Sequence, residues 1–240
     1  MVKRNLVVAA SLALALGSIA LPSAAAAAEI PTANAAEPLG QAGEVADAVE
    51  PTSEAMAQLM NWVIASGDNG GLPFIIIDKV AAKVFIFDAQ GRLLGTTPAL
   101  LGVTPGDESS PGVGDRELSA IKPEDRTTPA GRFVAKFGTA SGHRNVLWVD
   151  YVTSISLHPV VTVNKKERRL QRLKSPSPED NRITFGCINV PALFYAKVVR
   201  PVFKETTGVV YILPETKLLN EVFLAFQAQR PESPHGGVSH

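Results

Sequence analysis

The sequence predicts a mainly β domain with a few helices, arranged as a β-sandwich or barrel-like sheet. Short runs rich in Val, Ile and Phe recur at 74–77, 84–87, 93–101, 132–137, 146–149, 155–158 and 209–213. Turn residues such as Asp88-Ala89-Gln90-Gly91 separate the first runs as a hairpin would require. Helical spacing is confined to a few stretches, so the strands must supply the core.

The 240 residues suffice for one ordinary domain with irregular ends. Lys3 and Arg4 precede an apolar stretch at 6–21, and the small residues at 23–28 offer a cleavage site before Glu29. Residues 1–28 therefore read as an export signal; the alternative is an uncleaved membrane anchor. A lipid-anchored precursor is excluded, because no Cys lies near the cleavage region. Export places the protein in the periplasm or outside the cell, with no stable membrane insertion once the signal is removed.

Residues 29–51, rich in Ala, Pro, Thr and Glu, read as a flexible linker, 52–228 as a single domain and 229–240 as a mobile polar tail. A helix is predicted from Ser53, since Met56, Leu59, Met60, Val63 and Ile64 fall on one face and Gly67 can close it. A second spans 192–203. A third spans 217–227, with Leu218, Leu219, Val222, Phe223 and Phe226 on one stripe.

Basic and acidic residues balance at 23 each, and loss of residues 1–28 removes only two basic ones. Nothing provides the positive footprint of a nucleic-acid binder. The His are scattered, and one Cys is too few for a structural zinc site, so no metal or cofactor is expected. Two irregular stretches exceed the usual connection length of about 12–15 residues, 104–128 and 164–181. The second carries Lys165, Lys166, Arg168, Arg169, Arg172 and Lys174. It is either a solvated surface loop or a cover that attracts carboxylate-bearing substrates.

A single Cys in an exported protein cannot form an internal disulfide. Cys187 is either an inert buried thiol or a reactive one. It sits in Thr184-Phe185-Gly186-Cys187-Ile188-Asn189, where Gly186 permits a sharp turn. A helix starting just beyond it would direct its positive end at the sulfur and favour the thiolate. A nucleophilic Cys also needs a base. His235 and His240 are in the tail, and His143 is in a turn. His158 ends a strand, on the face opposite Leu157, where it can project into a cleft.

The stretch [Ser/Thr]-x-Gly-Cys-[apolar]-Asn with an upstream His at a strand end resembles the active-site signature of the L,D-transpeptidases. Thr184, Gly186, Cys187, Ile188, Asn189 and His158 match it, and Thr128-Pro129-Ala130-Gly131-Arg132-Phe133 is similar to a second family segment. The resemblance covers about 73–214. It implies a β catalytic fold and a cell-wall enzyme in which His158 deprotonates Cys187. The thiolate then attacks a peptidoglycan stem peptide, releasing D-alanine.

The same resemblance implies that the amides of Cys187 and Gly186 hold the oxyanion, with Asn189 and Thr184 in support. Asn189 can equally be a turn residue, and Thr184 a strand residue. The implied partners are donor and acceptor stem peptides, or a wall-attached protein as acceptor. A hydrolase on the same scaffold and a non-catalytic wall-binding protein are the alternatives.

Three departures stand out. Phe185 occupies the position where most members have a second His. Pro159 follows the base, although its carbonyl can still orient the imidazole. His158 and Cys187 are 29 positions apart, the excess coming from the basic stretch.

Overall fold

The computed structural model of the protein describes residues 53–140 and 144–227. The expected signal, linker and tail, together with His143, His235 and His240, lie outside the described residues.

Helix α1 (Glu54–Ser66) forms where its spacing predicts. The Ser53 side chain accepts from the Met56 amide, and Gly67 closes the helix in the left-handed region at φ +67°. Strands β1 (Phe74–Asp78), β2 (Lys83–Phe87) and β3 (Leu93–Pro98) follow as an antiparallel meander.

The run 93–101 is not one strand. It breaks after Pro98, and β4 (Leu101–Gly102) turns away to pair in parallel with β8 (Arg182–Thr184). Apolar continuity reports burial, not which neighbour a backbone bonds, so this change of partner is silent in the sequence.

Strands β5 (Gly131–Ala140), β6 (Arg144–Asp150) and β7 (Ile155–Pro159) continue antiparallel. β9 (Ile188–Val190) lies parallel to β7, and β10 (Gly208–Ile212) lies between β1 and β5. Among the described residues the main sheet runs β3-β2-β1-β10-β5-β6-β7-β9. Leu100, just beyond β3, exchanges both backbone hydrogen bonds with Asn189 of β9, at 2.8 and 2.9 Å. The two ends of the sheet therefore meet, giving a nearly closed barrel-like sheet.

The inner face holds Ile75, Ile77, Val84, Ile86, Leu157 and Ile188 among its buried residues. The outer face of β1, β2 and β10 carries Phe74, Ile76, Phe85, Phe87 and Tyr211 under α1. Burial on both faces explains why these strands read as unbroken apolar runs.

Between β7 and β8 in sequence, the basic stretch forms a 3-10 turn at Lys165–Glu167, a single helical turn α2 (Arg169–Arg172) and a second 3-10 turn at Pro178–Asn181. The helix at 192–203 is interrupted. α3 (Ala192–Phe194) and α4 (Arg200–Phe203) flank a π segment, Tyr195–Val199. Pro201, which has no N–H to give to a helical ladder, lies just past the wide turn.

The predicted helix 217–227 is two short turns, α5 (Leu219–Val222) and α6 (Leu224–Gln227). Phe223 leaves helical geometry to bury beside Tyr211, their rings 6.2 Å apart. Of the expected stripe, Leu218 is exposed. No helix among the described residues is long and apolar enough to cross a membrane.

Candidate active site

Cys187 sits where the turn after β8 enters β9. The turn is held by side chains on both sides. Thr184 Oγ1 accepts from the Gly186 amide at 3.1 Å and donates to the Cys187 carbonyl at 2.7 Å. Thr128 Oγ1, fully buried, donates to the Gly186 carbonyl at 2.7 Å and accepts from the Gly102 amide at 2.9 Å. Gly186 has φ +124°, and a Cβ there would lie 2.7 Å from Ile155 Cδ1 and 2.8 Å from the Thr127 carbonyl oxygen. Only glycine fits.

Beneath the turn lies a buried ionic network. Lys79 Nζ donates to Asp107 at 2.7 Å and to the Thr128 carbonyl at 3.1 Å, and Glu215 stands 3.3 Å away, itself paired with Arg182. Burial pushes the Asp107 carboxyl up. Bonds from Lys79, from the Thr216 hydroxyl and from the Glu215 and Thr216 amides more than offset this, and hold it well below the ordinary range.

The helix expected to aim its positive end at the thiol does not begin beside it. Strand β9 and Pro191 intervene between Cys187 and the helical start at Ala192. At roughly 3.3 Å per strand residue the helix end is on the order of 10 Å away, whereas such effects fade within one turn.

What faces the sulfur instead comes from β7. The Cys187 thiol, half-buried, donates to the Ser154 carbonyl at 3.6 Å, and Ser156 Oγ stands 3.6 Å from the sulfur. With the thiol proton engaged by Ser154, the Ser156 hydroxyl is the donor to sulfur.

The parallel register pairs His158 with Asn189 and Leu157 with Ile188. Ser156, His158, Cys187 and Asn189 therefore share one face, while Ile155, Leu157, Ile188 and Val190 pack into the inner core. His158 Nδ1 lies 2.8 Å from the Pro159 carbonyl, and Nε2 lies 3.1 Å from Asn189 Nδ2. The Asn189 side chain is buried, and its Oδ1 accepts from Arg169 at 2.8 Å.

This face opens on a cleft of about 800 Å³. Its lining includes Cys187, Ser156 and His158, and its formally charged members are Arg116 and Arg200. Tyr195 also faces it; burial pushes this hydroxyl up to about 12.

The covering wall comes from 104–128, through Val113, Gly114, Arg116, Leu118 and Ile121. The basic stretch contributes none of the lining residues, so it is not the cover that one reading expected. Phe185, standing where a second His was expected, lies under the Arg126 guanidinium at 3.9 Å and ties that wall to the cysteine turn.

The sequence-predicted residues Thr184, Gly186, Cys187, Asn189 and His158 thus converge. The Gly186 amide, expected at the oxyanion, already serves Thr184. Sequence reasoning gave no individual site role to Ser156, Thr128 or Arg169, although Thr128 opens the second family-like segment and Arg169 lies in the basic stretch. Ser156 was within reach, since strand alternation puts it on the face of His158. Arg169 carries no local signal that sets it apart from its basic neighbours.

No family model matches the sequence, and no curated protein does. Among solved structures the chain is similar to the Ldtfm–avibactam carbamoyl enzyme, at 15% identity over 60% of this chain and 49% of that one, TM-score 0.36. It is also similar to the catalytic domain from the E. faecium L,D-transpeptidase (17%, 59% and 96%, TM-score 0.35). A third is the helical cell shape determining protein Pgp2 from Campylobacter jejuni (12%, 69% and 58%, TM-score 0.39). The chain spans about half the length of the first of these. Overlaps this small carry no weight on activity, which rests on the site's own geometry.

Proposed function

We propose that the protein is an exported, cell-wall-associated L,D-transpeptidase, a cysteine acyl transferase acting on peptidoglycan stem peptides. One observation supports this above the others: a half-buried thiol opens into a cleft beside a hydroxyl and an imidazole on one strand face. The cleft's basic lining suits a donor that bears carboxylates.

In this reading His158 Nε2 takes the thiol proton, exchanging the Asn189 hydrogen bond for its own N–H. The thiolate forms a bond to the carbonyl carbon preceding the terminal D-alanine. The developing oxyanion is held by the Cys187 amide, a donor worth about 3–4 kcal/mol when well placed. The C–N bond breaks, and D-alanine leaves with the proton returned by His158. An acceptor amine then displaces the thioester and Cys187 regains its proton. Water in place of the amine would make the same site a hydrolase.

Incubation of the purified protein with a carbapenem, followed by intact mass measurement, tests the reading. A covalent adduct present in the parent and absent from Cys187→Ala is the expected result. An unmodified parent protein overturns it. With two stem peptides supplied, a cross-linked product identifies transfer, and shortened peptides alone identify hydrolysis. His158→Ala is expected to abolish acylation and His143→Ala to leave it intact; the reverse assigns the base to His143.

A further inference from the structure

The hydrogen bonds around His158 have a direction. Arg169 is a donor only, so the Asn189 atom that receives it must be the carbonyl oxygen. That leaves the Asn189 amide nitrogen facing His158 Nε2, and an NH2 group can only donate there. Nε2 must then be the lone-pair nitrogen, and the ring proton resides on Nδ1, pointed at the Pro159 carbonyl.

The chain of donors begins with Glu167, whose carboxylate accepts from Arg169 Nε at 2.5 Å and fixes the guanidinium plane. Arg169 is only 12% exposed, unlike Lys165, Lys166 and Arg168 around it. Arg168, at φ +49°, turns the backbone so that the next residue can enter α2 facing β9.

We infer that Arg169 is a positioning residue for the imidazole: by locking the Asn189 amide in one orientation it adds a donor to the Nε2 lone pair and so reinforces the Nδ1-protonated tautomer that the Pro159 carbonyl favours. Without Arg169 the Asn189 side chain can turn over, and its oxygen then competes with the Pro159 carbonyl for the ring proton, drawing part of the population to Nε2–H. The tautomer needed to receive a proton at Nε2 becomes one of two. The basic stretch thus has one member that acts on the site from outside the cleft lining, through Asn189. The consequence for catalysis rests on the reading of His158 as the base; the imidazole geometry does not.

Side-chain 15N NMR of the full chain, with His158 resonances assigned through His158→Gln, reads the tautomer directly at a pH where the ring is neutral. The parent protein is expected to show a protonated Nδ1 and a lone-pair Nε2. Arg169→Ala should give a mixture, Asn189→Asp should move the proton to Nε2, and Arg169→Lys, which still donates to Asn189, should retain the parent pattern. Carbapenem acylation of Arg169→Ala should slow by on the order of tenfold. A parent protein with its proton on Nε2, or Arg169→Ala with an unchanged tautomer, overturns the inference. Should Arg169→Ala fail to fold, Asn189→Asp and Glu167→Gln carry the same readout. If the tautomer behaves as stated and no variant is ever acylated, the proposed function fails while this assignment stands.

Discussion

The two long irregular segments reach the same four-residue face by opposite routes. Residues 104–128 lie over the cleft and are pinned at both ends. Gly106 bonds to Lys79 and Glu215, Arg126 stacks on Phe185, and Ser154 Oγ donates to the Gly114 carbonyl at 3.0 Å. Residues 164–181 contribute nothing to the cleft lining and are mostly solvated. Their anchors are Leu173, the Asn181 amide on the Ala99 carbonyl at 2.8 Å and Arg169 on Asn189. A segment that walls a cleft must be rigid along its length, whereas one that orients a single amide needs only one fixed side chain.

The contrast can be broken most severely from below. Lys79→Met removes a fully buried ammonium and leaves Asp107 buried without it, at an expected cost of about 3–5 kcal/mol by urea unfolding. Acid should reach the same anchor. The depressed Asp107 carboxyl contributes stability that is fully present above the ordinary carboxylate pKa of about 4 and fades as pH falls below it. Stability of the parent protein should decline over that window, and Asp107→Asn should flatten the decline.

Thr128→Val, which strands the Gly186 carbonyl and the Gly102 amide, should cost about 1–3 kcal/mol and lower acylation, because it loosens the cysteine turn. Phe185→Leu keeps the apolar contact but removes the guanidinium stack. It should cost about 0.5–2 kcal/mol and leave carbapenem acylation measurable. Lys165→Ala, on the solvated part of the second segment, should stay within about 0.5 kcal/mol of the parent and acylate at its rate. A large effect there would erase the distinction between the segments.

Much of the site was legible because its chemistry is written in rare residues. One Cys flanked by glycine singles itself out, and His158 was preferred over His143 through the family resemblance. Helix α1 was legible through Ser53 and Gly67, and β1, β2 and β10 through their apolar runs. The third helix was misjudged because a periodic stripe does not reveal that burying Phe223 outweighs keeping the ladder.

Local pattern, then, determined most strands and the first helix and singled out Cys187, since side-chain period and turn chemistry act over a few residues; the choice of His158 as its proposed base leaned on the family resemblance. Only the tertiary structure decided that β9 runs beside β7, that Leu100 and Asn189 bring the ends of the sheet together, and that Arg169 finds Asn189. Those choices depend on which distant backbone or side chain comes within 3 Å, and a sequence period is the same whichever partner wins.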